Sequence, residues 1–225
     1  MLSRVLPRVA RGLLAAVLTL VPVALLALLV REQFDPLIHF DDQAIRHATD
    51  VTRAHPTLRT LLIVVQTVLQ ERYVYTVTLL VAVVVWRRGL RARAVWGAVT
   101  MLVGWNLGLL VKLAVQRARP VVADPVSHAP GYSFPSGHVF NVTFAFTVTL
   151  LMVWPLLGGL SRGARRALVA GVAVVVIITC LDRVYLGVHF PSDTLAGIIL
   201  ALALAFSSWL GYRGGVRAPI TSERP

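Results

Sequence analysis

The 225-residue chain is 57% hydrophobic with a mean hydropathy of +0.76, too apolar for an ordinary soluble domain and too short for two membrane domains. Its formal charge of +12 does not point to nucleic acid, because the excess is confined to four short segments beside apolar runs. Cys180 is the only cysteine and lies inside such a run, which excludes an intramolecular disulfide and a cysteine-built metal site.

A helix needs about 20 mostly apolar residues to cross a bilayer. Residues 12–30 form the first such run, preceded by Arg4, Arg8 and Arg11. Its length, and the lack of a small-x-small site before Arg31, fit an uncleaved signal anchor better than a cleaved signal peptide. Residues 31–59 follow as the longest polar stretch, holding Asp35, Asp41, Asp42, Asp50, His39, His47 and His55. The histidines recur every eight residues, which is not a usual ligand spacing, so a solvated outer loop is expected there rather than a metal site. The second run, 67–86, carries Glu71 and Arg72 near its start, either at the outer interface or turned into the bundle. Runs at 94–111, 139–157, 167–181 and 194–210 complete the set, the fifth resuming over 184–188 after Asp182 and Arg183. None alternates with period two, so the expected fold is all-α: one domain over 1–225, an integral membrane bundle of six transmembrane helices.

With the N-terminus in the cytoplasm, segments 1–11, 87–93, 158–166 and 211–225 hold thirteen Arg and one acid, Glu223. The remainder holds nine basic and nine acidic residues, as the positive-inside rule requires. Basic loops are therefore topology signals, and attraction to anionic membrane lipids is secondary. The tail 211–225 reads as disordered.

Three segments carry chemistry. In Lys112-Leu-Ala-Val-Gln-Arg-Ala-Arg119-Pro120, a helix running to Pro120 would set Lys112 and Arg119 on one face, about 10 Å apart along the axis, as an anion clamp. Arg117 would then point away. In Pro135-Ser136-Gly137-His138, Ser136 is placed to cap the fourth span and Gly137 to let backbone approach a ligand. Amides at that helix N-terminus suit a phosphate, with His138 beside it. In Asp182-Arg183-Val-Tyr-Leu-Gly-Val-His189-Phe-Pro191-Ser-Asp193, Pro191 suits a first helical turn. His189 and Asp193, four apart, can pair so that the carboxylate fixes the imidazole tautomer. Each segment also has a plain structural reading: snorkelling cations, an ordinary capped helix, a buried His–Asp contact. Alternating topology nevertheless puts all three on the extracytoplasmic side, where together they suit phosphoryl transfer through a phosphohistidine.

The ordered set Lys112-x6-Arg119-Pro120, Pro135-Ser136-Gly137-His138 and Arg183-x5-His189-x3-Asp193 resembles the three-part signature of the type-2 phosphatidic acid phosphatase superfamily. That superfamily also includes undecaprenyl-diphosphate phosphatases, glucose-6-phosphatase and vanadium haloperoxidases. The resemblance implies His189 as nucleophile, Asp193 as its orienter and His138 as general acid. Lys112, Arg119, Ser136, Gly137 and Arg183 would bind phosphate, with no metal or other cofactor. It implies a lipid phosphate or diphosphate as substrate and leaves the oligomeric state open. One position departs: Asp182 stands where the family usually has serine, and would either orient Arg183 or weaken phosphate binding. Two other classes compete: a phosphatase-like lipid-binding or phosphotransferase protein without hydrolase activity, and a transporter, whose charges should lie near the midplane.

Overall fold

The computed structural model describes residues 2–122 and 126–213, which fold into helices without a strand among the described residues. In chain order these are α1 (Leu2–Arg31), α2 (Asp35–Ala54), α3 (Pro56–Val68), α4 (Glu71–Arg87), α5 (Arg91–Val115), α6 (Gly137–Val153), α7 (Arg162–Tyr185) and α8 (Pro191–Arg213). A short 3-10 turn, Trp154–Leu157, follows α6. Five helices are long and apolar enough to cross a membrane, and α3 with α4, bent by 45° at their junction, makes a sixth span. The expected tail beyond residue 213 lies outside the described residues.

Two expectations are corrected. The stretch 31–59 is not a solvated loop: it holds α2, whose face of Asp41, Ile45, Ala48, Thr49 and Thr52 is buried. That 3–4 spacing is the stripe of an amphipathic helix, and the polar residues around it, among them Asp35, Asp42 and Asp50, hide it from a hydropathy window. Thr52 Oγ1 donates to the Tyr185 carbonyl at 2.8 Å, docking α2 on α7. The second span begins at Pro56 rather than 67 and is broken at Leu69 and Gln70. There the Gln70 carbonyl accepts from the amides of Tyr73 and Val74 and starts α4 afresh.

α6 and α8 are the inner helices, with 50% and 44% of their apolar windows buried against 11% for α1. α6 touches α4, α5, α7 and α8, while α1 lies along α8 and turns Leu13, Leu14, Val17 and Leu18 outward. Such a surface is costly in water and neutral in lipid, consistent with a membrane span. α1 and α8 are antiparallel: Gly12 lies against Ser207 and Gly211, and Val30 clusters with Ala196. At the Gly12 end Arg93 donates to the Leu151 carbonyl at 2.7 Å, and its guanidinium lies 4.7 Å from the centre of the Trp209 ring. The other end gathers the end of α5 and the starts of α6 and α8 around the three chemical segments.

Candidate active site

α5 stops earlier than its charge pattern suggests. Gln116 takes a left-handed conformation (φ 55°) and its amide closes the helix on the Lys112 carbonyl. Arg117 to Pro120 then run outside any helix, pinned where Ser133 donates to the Arg117 carbonyl from N at 2.8 Å and to the Ala118 carbonyl from Oγ at 2.9 Å. The expected helical clamp of Lys112 and Arg119 is thus replaced by one helical cation and one from a strap. Lys112 Nζ donates to the Tyr132 carbonyl at 2.6 Å. Arg119 is held by three carbonyls, those of Gly131 (2.9 Å), Pro130 (2.9 Å) and Val188 (2.8 Å).

Without the helix, the expectation that Arg117 points away also fails. Its guanidinium is buried over the Phe190 ring, 4.0 Å from the centroid, and forks between Asp193 Oδ1 (2.8 Å) and Asp41 Oδ2 (2.7 Å).

The third segment descends from α7. Its last turn carries Arg183, whose Nε and Nη2 both donate to Asp182 Oδ2, while Nη2 also reaches Gln66 Oε1 at 2.9 Å. Asp182 therefore sets the plane of the Arg183 guanidinium, one of the two roles open to it from sequence. Gly187, at φ 76°, supplies the left-handed turn that brings His189 back beneath the helix end. Pro191 opens α8 as expected.

At His189 the two ring nitrogens have different neighbours. Arg119 Nη1, which can only donate, lies 3.1 Å from Nε2, so Nε2 carries the lone pair. Nδ1 then bears the proton and faces Asp193 Oδ2 at 3.5 Å, long for a hydrogen bond but at ion-pair distance. Burial pushes the imidazole down to about 4, with the Asp193 carboxylate pulling the other way.

Lys112, Arg119, Gly137, His138, Arg183 and His189 line one cavity of about 410 Å³. Ser136 and Asp193 lie behind its wall, both fully buried. Ser136 occupies the N-cap position of α6 but its hydroxyl makes no cap bond, a correction to the expected capping. Its amide donates to the Asp193 carbonyl at 3.0 Å, and its Oγ has no partner, like His138 Nε2. The α6 N-terminus thus brings first-turn amides and the His138 ring to the cavity wall, with the unpartnered Ser136 hydroxyl just behind it. The arrangement can hold a tetrahedral anion against an imidazole lone pair.

Gln66, Gln70, Glu71, Arg72 and His128 also line this cavity and were not assigned to it from sequence. The first four come from the break between α3 and α4, and their only signal was the density of polar residues at the head of an apolar run. Glu71 turns into the bundle, accepting from Asn141 Nδ2 at 3.0 Å. Among the described residues, the histidines of 31–59 do not converge with acids into a ligand set. A second cavity, about 290 Å³, shares Glu71, Lys112 and Gly137 with the first and continues between α4, α5 and α6 past Trp105, Gly108, Leu109 and Phe140.

Phosphatidylglycerophosphatase B of Bacillus subtilis (strain 168) is 34% identical over 119 residues, 51% of this chain and 57% of that protein. Undecaprenyl-diphosphatase BcrC of the same organism is 25% identical over 120 residues, 52% and 56% of the respective chains. The chain thus matches less than two thirds of the length of these relatives. The crystal structure of a transmembrane PAP2 type phosphatidylglycerolphosphate phosphatase from Bacillus subtilis shares the fold, with a TM-score of 0.73 over 84% of this chain and 93% of that one at 21% identity. Residues 93–215, which contain all three chemical segments and more than half of the sequence, match the PAP2 superfamily, and the chain belongs to that family.

Proposed function

We propose that the chain is a membrane phosphatase that removes phosphate from a lipid monophosphate or diphosphate through a phosphohistidine on His189. The observation that carries this reading is the convergence on one cavity of the His189 Nε2 lone pair, the cations Lys112, Arg119 and Arg183, and the α6 N-terminus. Nε2 attacks phosphorus in line and the bond from phosphorus to the lipid-side oxygen breaks. His138 gives that oxygen its proton, and the positive charge on the His189 ring is balanced by Asp193. Water then attacks the phosphohistidine and passes a proton to His138. The P–N bond breaks, and inorganic phosphate leaves with the lone pair restored to Nε2. Lys112, Arg119, Arg183, Ser136 and the Gly137 amide stabilise the equatorial oxygens, supplying the charge that a metal ion provides elsewhere.

The lipid character is supported by the apolar continuation of the cavity between α4, α5 and α6, which gives a substrate tail a sideways path. The relatives' names supply the classes to try first: phosphatidylglycerophosphate and undecaprenyl diphosphate. The test is phosphate release by purified protein in detergent from these and from phosphatidic acid, with excess chelator present. Turnover in chelator, inhibition by vanadate and loss of both turnover and trapped phosphoenzyme in His189→Ala are expected. Release at the parental rate by His189→Ala, or activity that returns only with added Mg²⁺, contradicts the reading.

A further inference from the structure

Behind the nucleophile lies a polar network that reaches outside the segment matched to the family. Asp193 is fully buried; its Oδ1 accepts from Arg117 and its Oδ2 accepts from the Phe190 amide at 3.0 Å while facing His189 Nδ1. Arg117 is shared. Its Nη2 donates to Asp41 Oδ2 at 2.7 Å, and its Nη1 donates to Ser192 Oγ at 2.7 Å as well as to Asp193. Because Ser192 Oγ accepts from Arg117, its single proton is directed to Asp41 Oδ2. The Ser192 amide donates to Asp41 Oδ1 at 3.1 Å. Asp41, at 0% exposure on α2, is thus an acceptor at every one of these contacts.

The charge count matters. Two buried carboxylates share one guanidinium, so the trio keeps a net negative charge directly behind His189. On the cavity side the imidazole meets Arg119 and Lys112, with His138 and the Asp182–Arg183 pair beyond. If Arg117 served Asp193 alone, the pair would be neutral, and the carboxylate facing the ring would favour less strongly the positive charge it gains on bonding to phosphorus.

We infer that Asp41 is a positioning residue for the nucleophile: by drawing Arg117 toward α2, it leaves Asp193 enough negative charge to stabilise the phosphorylated, cationic His189. This rests on the reading of His189 as nucleophile. Removing one charge several ångströms from the ring, at an effective dielectric of about 20, corresponds to roughly ten- to a hundredfold in rate.

The experiment is a double-mutant cycle in detergent with Asp41→Asn and Asp193→Asn, reading kcat, KM and melting temperature. Asp41→Asn is expected to lower kcat about ten- to a hundredfold with KM changed far less, and to cost little further in the Asp193→Asn background, where residue 193 carries no charge for Arg117 to neutralise. An unchanged kcat, or the same fold-loss in both backgrounds, overturns the inference, the latter showing that Asp41 merely holds α2. Should Asp41→Asn not fold, the cycle is run with Asp41→Glu, which keeps the charge but displaces it; there too, absence of coupling to Asp193 overturns the inference. Phosphoenzyme trapping separates the two levels. A His189-dependent phosphoenzyme with no Asp41 coupling sinks only this inference, whereas turnover independent of His189 sinks the mechanism beneath it.

Discussion

Ser136 and His189 each bury a polar group at a cost to folding, as a proposed phosphate site would require. The Ser136 hydroxyl is buried with no partner, and an unsatisfied buried hydroxyl is destabilising by about 1–3 kcal/mol. Ser136→Ala is therefore expected to leave the melting temperature unchanged or raised while turnover falls roughly tenfold and vanadate binds more weakly, because a donor to the anion is lost. A drop in stability with unchanged vanadate affinity would show the hydroxyl to be structural. His189 makes a second case. Its folded value near 4 lies below the ordinary 6.5, so between those pH values the unfolded chain binds a proton that the native state refuses. This site's contribution to stability is complete above about 6.5 and is lost as pH falls toward 4. In the same window the Nε2 lone pair stays available. Nitrogen-15 shifts of the His189 ring in histidine-labelled protein, assigned by loss of the signal in His189→Ala, should titrate near 4; a midpoint at 6.5 would refute the burial argument.

Among the elements, the breaks matter more than the spans. The left-handed Gln116 ends α5 and swings Arg117 inward, and the interruption between α3 and α4 delivers Gln66, Gln70, Glu71 and Arg72 to the cavity. Neither break has proline or glycine at its centre, so neither carries the punctuation that marks a helix end in sequence. α5 and α6 approach so closely beside the second cavity that a Cβ on Gly108 would lie 2.9 Å from the Phe140 ring. Gly108→Val should push that ring into the apolar path. The expected outcome is a KM for long-chain lipid phosphates raised tenfold or more, with little change for a short water-soluble phosphomonoester, measured side by side in one detergent. Equal effects on both would mean that the tail does not enter between these helices.

The molecule as a whole is polar along its long axis. Arg93, together with the loop arginines that precede it, lies at the end of the bundle shared by Gly12 and Trp209, and the cavity lies at the other. By the positive-inside rule the cavity is expected to face away from the cytoplasm, and the proposed cleavage is then expected in the outer leaflet. Single cysteines at Val121, fully exposed beside the cavity end, and at Gly159, in the turn before α7, test this in a Cys180→Ala background. In intact cells an impermeant thiol reagent should label Val121→Cys and spare Gly159→Cys. The reverse pattern would put the cavity in the cytoplasm.

Six spans, the basic end and the order of the three motifs were legible in the chain itself, because hydropathy and charge act through local sums that any window can read. So was the opposition of His189 and Asp193, a matter of four residues on one turn. The solvated loop over 31–59 and the helix through Arg119 were misread for the converse reason. Asp41 becomes buried only because Arg117 and Ser192, 76 and 151 residues away, bring donors to it, and Arg183 finds Gln66 across 117 residues. A buried charge is tolerable only where its partners are assembled, and that assembly is a property of packed helices, which leaves no period or spacing in the sequence.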